Sequence, residues 1–459
     1  MMSGRANSGA AYGPHAGRLV LNNHARHKGD FPGRGSLQVF SAGITLFAVG
    51  STVGYQFHSS FLLLGYIGVA LMLWVSLTGM SNGQHFILPE IQWMWLFCMW
   101  AVFTGIFTVQ DFTLFSKGVD RLFKISVAAF CVAGFSARVR TPAFGLGAIL
   151  AVALLLGIYG LLTGDFGSIT ELHAANGARV KGVRATSMVA NANSLGVNAV
   201  WGLVAVTYFS LIAKRRWLRV VLWSCVPLLI TSMLASSSKK AILLPVIYLA
   251  AWIWLCHRKW LFLRWQNAFQ VLALVAILVW GMTWVLDNTF LGYRLKKSVD
   301  TEQKDGSTES RLDMYKEALE VTANYPIAGV GLSQWSLYGT GGYAHNEYGE
   351  LVATTGIIGL SLYLWPYFLS VRRLLFIRRV TRHGSEYNRA GLCLALLITI
   401  ASAGFGQVLF SGQAYWVLVG SVWGYAFGTS RMLMAEQQFF SQNLSLNRKS
   451  FFRQQRHGF

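Results

Sequence analysis

Residues 142–163 read PAFGLGAILAVALLLGIYGLLT, without a single charged side chain. A helix of about 20 such residues crosses the ~30 Å hydrocarbon core of a bilayer, with its backbone hydrogen bonds closed internally. Working outward, further spans are read at 37–56, 59–79, 91–109, 120–136, 190–213, 217–235, 240–256, 267–286, 348–371, 390–411 and 413–430, about twelve in all. Composition agrees: 54% of the 459 residues are apolar and only 12% charged, about half the charge of a soluble domain. The expected fold class is an all-α polytopic integral membrane protein. A disordered chain, a fibre and a water-soluble enzyme are excluded.

The net charge is +21, from 39 Lys plus Arg against 18 Asp plus Glu. With the N-terminus in the cytoplasm and alternate links inside, the inner segments hold 25 of the 39 basic residues. Only Asp30, Glu90, Glu386 and Glu436 share that side. The outer segments hold 14 basic and 14 acidic residues, so the whole excess sits on one face, as the positive-inside rule expects. Topology therefore accounts for the basicity, with no nucleic-acid partner. The expected organisation is a cytoplasmic basic tail over 1–36, nine spans over 37–286, a periplasmic helical loop over 287–347, three spans over 348–430 and a cytoplasmic tail over 431–459. Within the loop, 309–324 reads as an amphipathic helix with Leu312, Tyr315, Leu319 and Thr322 on its apolar stripe, stopped by Pro326. The five cysteines (Cys98, Cys131, Cys225, Cys256, Cys393) lie in apolar runs, so neither a disulfide framework nor a zinc site is indicated. The N-terminal 36 residues lack a signal-peptide pattern.

The unusual polar residues gather on the outer face. Arg184, Asn191 and Asn193 lead into the sixth span. Ser236, Ser237, Ser238, Lys239 and Lys240 join spans seven and eight. Arg311 lies on the loop helix, and His345, Asn346, Glu347 and Glu350 open the tenth span. Each also has a plain reading: Lys239 and Lys240 as snorkelling cations, Arg184 as a lipid-phosphate contact, the asparagines as packing groups, and Asn346-Glu347 as a helix cap. Their convergence on one boundary is what a site at the membrane surface requires.

Ala344-His345-Asn346-Glu347-Tyr348, continuing to Gly356-Ile357-Ile358-Gly359, resembles the signature of the O-antigen polymerase and O-antigen ligase superfamily. There a His-Asn pair opens a transmembrane helix and Gly-x-x-Gly follows about ten residues on. Arg311 with Tyr315, then Pro326-Ile327-Ala328-Gly329-Val330-Gly331, resembles the family's Arg-led helix and its Pro-x-x-Gly-x-Gly turn. Arg184 with Asn191-Ala192-Asn193 resembles its Arg followed by an Asn-Pro-Asn-like element, with Ala for Pro. Ser238-Lys239-Lys240 resembles a Ser-Arg-Lys-like element, with Lys for the usual Arg, which removes a bidentate fork. The likeness spans roughly 184–360.

That resemblance implies a fold similar to the C-type membrane glycosyltransferases and a site facing the periplasm of the bacterial inner membrane. It implies transfer of a glycan from an undecaprenyl pyrophosphate-linked donor without metal or other cofactor. In a polymerase the acceptor is another carrier-linked repeat unit, with a chain-length regulator as partner; in a ligase it is lipid A-core. Polymerase is the first reading here and ligase the alternative. The implied catalytic residues are His345, Arg184 and Arg311. The implied substrate-binding residues are Lys239, Lys240, Asn191, Asn193, Asn346, Glu347 and Tyr315. The residue types suit the reaction. A leaving pyrophosphate gains charge that fixed cations must answer, with arginine offering a matching fork. The acceptor hydroxyl must lose a proton, and His345 is the base, its lone pair favoured by the positive end of the following helix. Glu347 orients it or competes for the role. From another class, a secondary transporter or lipid flippase also fits twelve spans. It would need ionisable groups or broken helices near the midplane, where these spans are nearly free of acids.

Overall fold

Helix boundaries follow local chemistry. The computed structural model describes residues 32–54, 60–80, 88–166, 185–189, 191–261, 306–340, 344–410 and 412–456, with short pieces between 276 and 296. Helices α1 (Arg34–Val53), α2 (Ser60–Met80), α3 (Pro89–Thr108), α4 (Phe112–Val139), α5 (Ala143–Leu162) and α6 (Ala192–Ile212) come first. They are followed by α7 (Arg216–Ser224), α8 (Val226–Ala235) and α9 (Lys239–Leu261). After α10 (Gly306–Asn324) come α11 (Glu347–Thr381), α12 (Ser385–Gly404) and α13 (Gln413–Arg456). Among the described residues, ten helical segments are long and apolar enough to cross a membrane, with α7 and α8 counted as one. The protein is an all-helical, multi-pass membrane protein.

The described residues test most of the twelve expected spans and adjust their bounds. Most of the span expected at 267–286 lies outside the described residues. The one expected at 413–430 is the first part of α13, which runs on to Arg456 and is not among the ten. Its Trp, Tyr, Gly and Ser content lowers hydropathy, yet Trp416, Val417, Val422, Trp423 and Ala426 are buried. The fourth helix starts at Phe112 rather than 120, because the Asp111 side chain caps it, accepting from the backbone N–H of Thr113 and Leu114 at 2.8 and 3.0 Å. The seventh span is two helices, with Pro227 at the start of the second.

Small residues set the closest helix contacts. Gly420, Gly424 and Gly428 of α13 recur every fourth residue against Ala129, Ala133 and Ala137 of α4. A Cβ on Gly424 would lie 2.2 Å from the Ala133 carbonyl oxygen. Such spacing lets two backbones approach where lipid supplies no hydrophobic drive between helices. It anchors α4, whose N-terminal turns reach the candidate site.

Between α9 and α11, the chain builds a small core of its own from Ala318, Val321, Val330, Trp335, Ala344 and Ala353. Helix α10 uses Ala318 and Val321 for this, while Leu312, Tyr315 and Leu319 of the expected apolar stripe are exposed. The inward face is thus the small-residue one, because α10 packs closely on α11.

The Pro326–Gly331 turn is wedged into a break in α11. Gly356 has φ +68° and ψ −177°, which interrupts the helix. The carbonyls this leaves unpaired find new donors: Val330 N–H to Ala353 O and Gly331 N–H to Thr354 O at 2.9 Å, and Trp100 Nε1 to Thr355 O at 2.8 Å. Ile357 N–H donates to Pro326 O at 2.9 Å in return. Gly329 lies against the Thr354–Thr355 backbone, where a Cβ would sit 2.4 Å from the Thr354 carbonyl carbon. The glycines of both motifs therefore serve one backbone-to-backbone joint.

Gln334, fully buried, ties the same turn to the α3–α4 corner. Its Oε1 accepts from the N–H of Gln110 and Asp111 at 3.2 and 3.0 Å, and its Nε2 donates to Asp111 O at 3.0 Å. Gln334→Leu should cost roughly 1–3 kcal/mol for each backbone group left unpaired. A lowered melting midpoint in detergent checks this, and an unchanged midpoint contradicts it.

Candidate functional site

The loop that carries His345 is pinned on both sides. Ahead of it, the Ala344 N–H donates to the Glu350 carboxylate at 3.0 Å. Behind it, Asn346 caps α11, its Oδ1 accepting from Tyr348 and Gly349 N–H at 3.0 and 3.2 Å. His345 itself has φ +55°, so the chain turns sharply there.

His345 opens on a cavity of about 390 Å³. Asn191 and Asn193 of α6, Lys240 of α9 and Glu350 of α11 line it with His345. Four of the expected residues are thus brought together. Lys117 and Arg121 of α4 line the same cavity and were not anticipated. Their signal was in the sequence: two cations four residues apart share a helix face. Three lysine or arginine side chains against one carboxylate make an anion site.

Burial first, then the nearby charges of Arg311 and Lys240, push the His345 imidazole down to about 4. The imidazole is therefore neutral at pH 7. Lys240 also donates to the Gly406 carbonyl at the α12–α13 turn.

Besides lining the cavity, Asn191 caps α6, its Oδ1 accepting from Asn193 N–H at 2.9 Å. The other expected residues stand apart. Lys239 opens α9 without lining the cavity. Tyr315 packs its ring over Gly349, where a Cβ would lie 3.5 Å away. Glu347 is buried, accepts from the Tyr363 hydroxyl, and lines a separate cavity of about 360 Å³ with Tyr348, Tyr367 and Tyr415. The carboxylate beside His345 is Glu350. Arg184 lies outside the described residues. Among the described residues, no three His, Cys, Asp or Glu side chains converge as a metal-binding group.

Residues 223–364 match the family model described as O-antigen ligase. The match bears out the resemblance to the O-antigen polymerase and ligase superfamily read from the sequence. It begins in α7 and takes in Lys239, Lys240, Arg311, Tyr315, the Pro326–Gly331 turn and His345-Asn346-Glu347, ending within α11. Arg184, Asn191 and Asn193 fall before it. No curated protein matches the chain. The matched segment thus contributes Lys240, Trp335, His345 and Glu350 among others to the cavity, and α4, the start of α6 and the α12–α13 turn line the remainder from outside it.

Proposed function

We propose that the protein is a membrane glycosyltransferase that moves a glycan en bloc from undecaprenyl pyrophosphate to an acceptor hydroxyl at the periplasmic face of the bacterial inner membrane. The observation that carries this reading is the cavity in which His345 meets Lys117, Arg121 and Lys240. The cations, with Arg311 close by and Arg184 as the family-like donor ligand, hold the pyrophosphate and answer its growing charge. His345 takes the acceptor proton. The acceptor oxygen bonds to the anomeric carbon, and the carrier pyrophosphate leaves with the electron pair of the broken C–O bond. The chain's own cations supply the charge, without a metal.

Donor binding also tunes the base. A dianion beside Arg311 and Lys240 offsets two of the groups that depress His345, so its basicity rises when the donor is in place.

The acceptor is proposed to be a second carrier-linked repeat unit, as in a polymerase. The family model's description as O-antigen ligase supports the second reading, transfer to lipid A-core. Purified protein in vesicles, given labelled carrier-linked repeat units with and without core glycolipid, tests them. Ladders of lengthened carrier-linked glycan support polymerase, labelled core supports ligase, and no product with either contradicts both.

The site must face outward. Position 305 lies in the proposed periplasmic loop, so an Asp305→Cys variant in which the five native cysteines are replaced by serine or alanine should react with an impermeant thiol reagent in intact spheroplasts. Reaction only after permeabilisation would overturn the orientation.

A further inference from the structure

A second, smaller cavity of about 150 Å³ adjoins the cation-lined one. Ser194, Gln407 and Val408 line both, so these residues form a common wall. The chemistry changes across it. The first cavity has lysine, arginine, histidine and glutamate, whereas among the described residues no charged side chain lines the second. Thr52 from the last turn of α1, Asn198 and Trp201 of α6, Gln407, Gln413 and Tyr415 are there instead.

Two of the lining residues each hold a buried polar atom without a hydrogen-bond partner, Thr52 Oγ1 and Gln407 Oε1. Burying such a group unpaired costs roughly 1–3 kcal/mol, so two on one small cavity call for a partner that brings hydroxyls. An amide, a hydroxyl and an indole together suit a ligand with hydroxyls at its edge and C–H groups on its face. That is the chemistry of a sugar ring, and the absence of charge around the cavity disfavours an acidic one.

We propose that this cavity is a subsite for one uncharged pyranose ring, held next to the anion site with its hydroxyls paired to Gln407 and Thr52. The assignment rests on the glycan-transfer reading. The ring has two sources, the donor sugar attached to the pyrophosphate or the terminal sugar of the acceptor. In either case the common wall at Gln407 sets that ring beside the cavity where His345 takes the proton.

The test uses the full-length protein in vesicles with a carrier-linked glycan built of neutral sugars. KM for donor and for acceptor are measured separately for wild type, Gln407→Leu, Thr52→Val and Thr52→Ser, alongside the melting midpoint in detergent. Loss of one hydrogen bond should raise one KM by about five- to tenfold with kcat little changed. Thr52→Ser, which keeps the hydroxyl, should stay near wild type. A rise in donor KM assigns the subsite to the donor sugar, and a rise in acceptor KM assigns it to the acceptor; both support the proposal. Active variants with both KM values unchanged would overturn it, leaving a water-filled gap. So would activity that falls only in step with the melting midpoint, with Thr52→Ser no better than Thr52→Val. A wild type that forms no glycosidic bond would instead defeat the transfer reading, and the subsite with it.

Discussion

His345→Ala is expected to slow single-turnover glycan transfer by ~10²–10⁴-fold while donor binding persists, the usual contribution of a positioned general base. The pH profile gives the sharper signature. An unperturbed histidine would lose its lone pair as pH falls through about 6.5. With burial, Arg311 and Lys240 holding His345 down to about 4, wild-type kcat/KM should stay level through that range and fall only near pH 4. The acid limb of kcat should lie higher than that of kcat/KM, because kcat reports the donor complex, in which the pyrophosphate offsets the cations. The His345→Ala variant should lack the limb. A variant that kept it would transfer the role to Glu350, the carboxylate that shares the cavity. Unchanged turnover with weakened donor binding would make His345 a phosphate ligand.

Gly356→Ala should be the most damaging single-methyl change in the chain. The residue occupies φ +68° and ψ −177°, a conformation almost confined to glycine, and a Cβ there would lie 1.9 Å from the Ile327 carbonyl oxygen. The backbone strain and the collision together should cost roughly 3 kcal/mol or more, since neither backbone can withdraw without breaking the hydrogen bonds of the joint. The melting midpoint should drop, and transfer should fall with it as the His345 loop loses its support. Gly349→Ala, in the same helix, is the control. Its Cβ would meet only Tyr315 and Ala318 at 3.5–3.6 Å, ordinary contact, and helix propensity favours alanine. Equal tolerance of the two would contradict the wedge between the Pro326–Gly331 turn and α11.

The helices were legible where apolar runs are long and capped, as in α5 and α6. The start of α13 was also read at 413, although its aromatic and small residues carry burial without high hydropathy; bounds slipped where a cap such as Asp111 lies outside the apolar run. The Pro-x-x-Gly-x-Gly and Gly-x-x-Gly elements were visible as motifs, but their purpose was not, because hydrogen bonds exchanged between distant backbone segments leave no side-chain pattern. In the site, Asn191, Asn193, Lys240 and His345 were named in advance and line one cavity. Lys117 and Arg121 were passed over, since cations beside an apolar run carry no mark of the cavity they line. Glu347 and Glu350 stand three positions apart and turn into different cavities, Glu347 toward the hydroxyl of Tyr363 further along α11 and the neighbouring Tyr415 of α13.

The most direct test of the account counts bonds. Purified protein in sealed vesicles receives a labelled undecaprenyl pyrophosphate-linked glycan and an acceptor, and free carrier pyrophosphate and new glycosidic bonds are quantified together. The account predicts one carrier pyrophosphate released for each glycosidic bond formed, both slowed together by ~10²–10⁴-fold in His345→Ala. Movement of intact donor across the bilayer with no new bond would contradict it and identify a flippase.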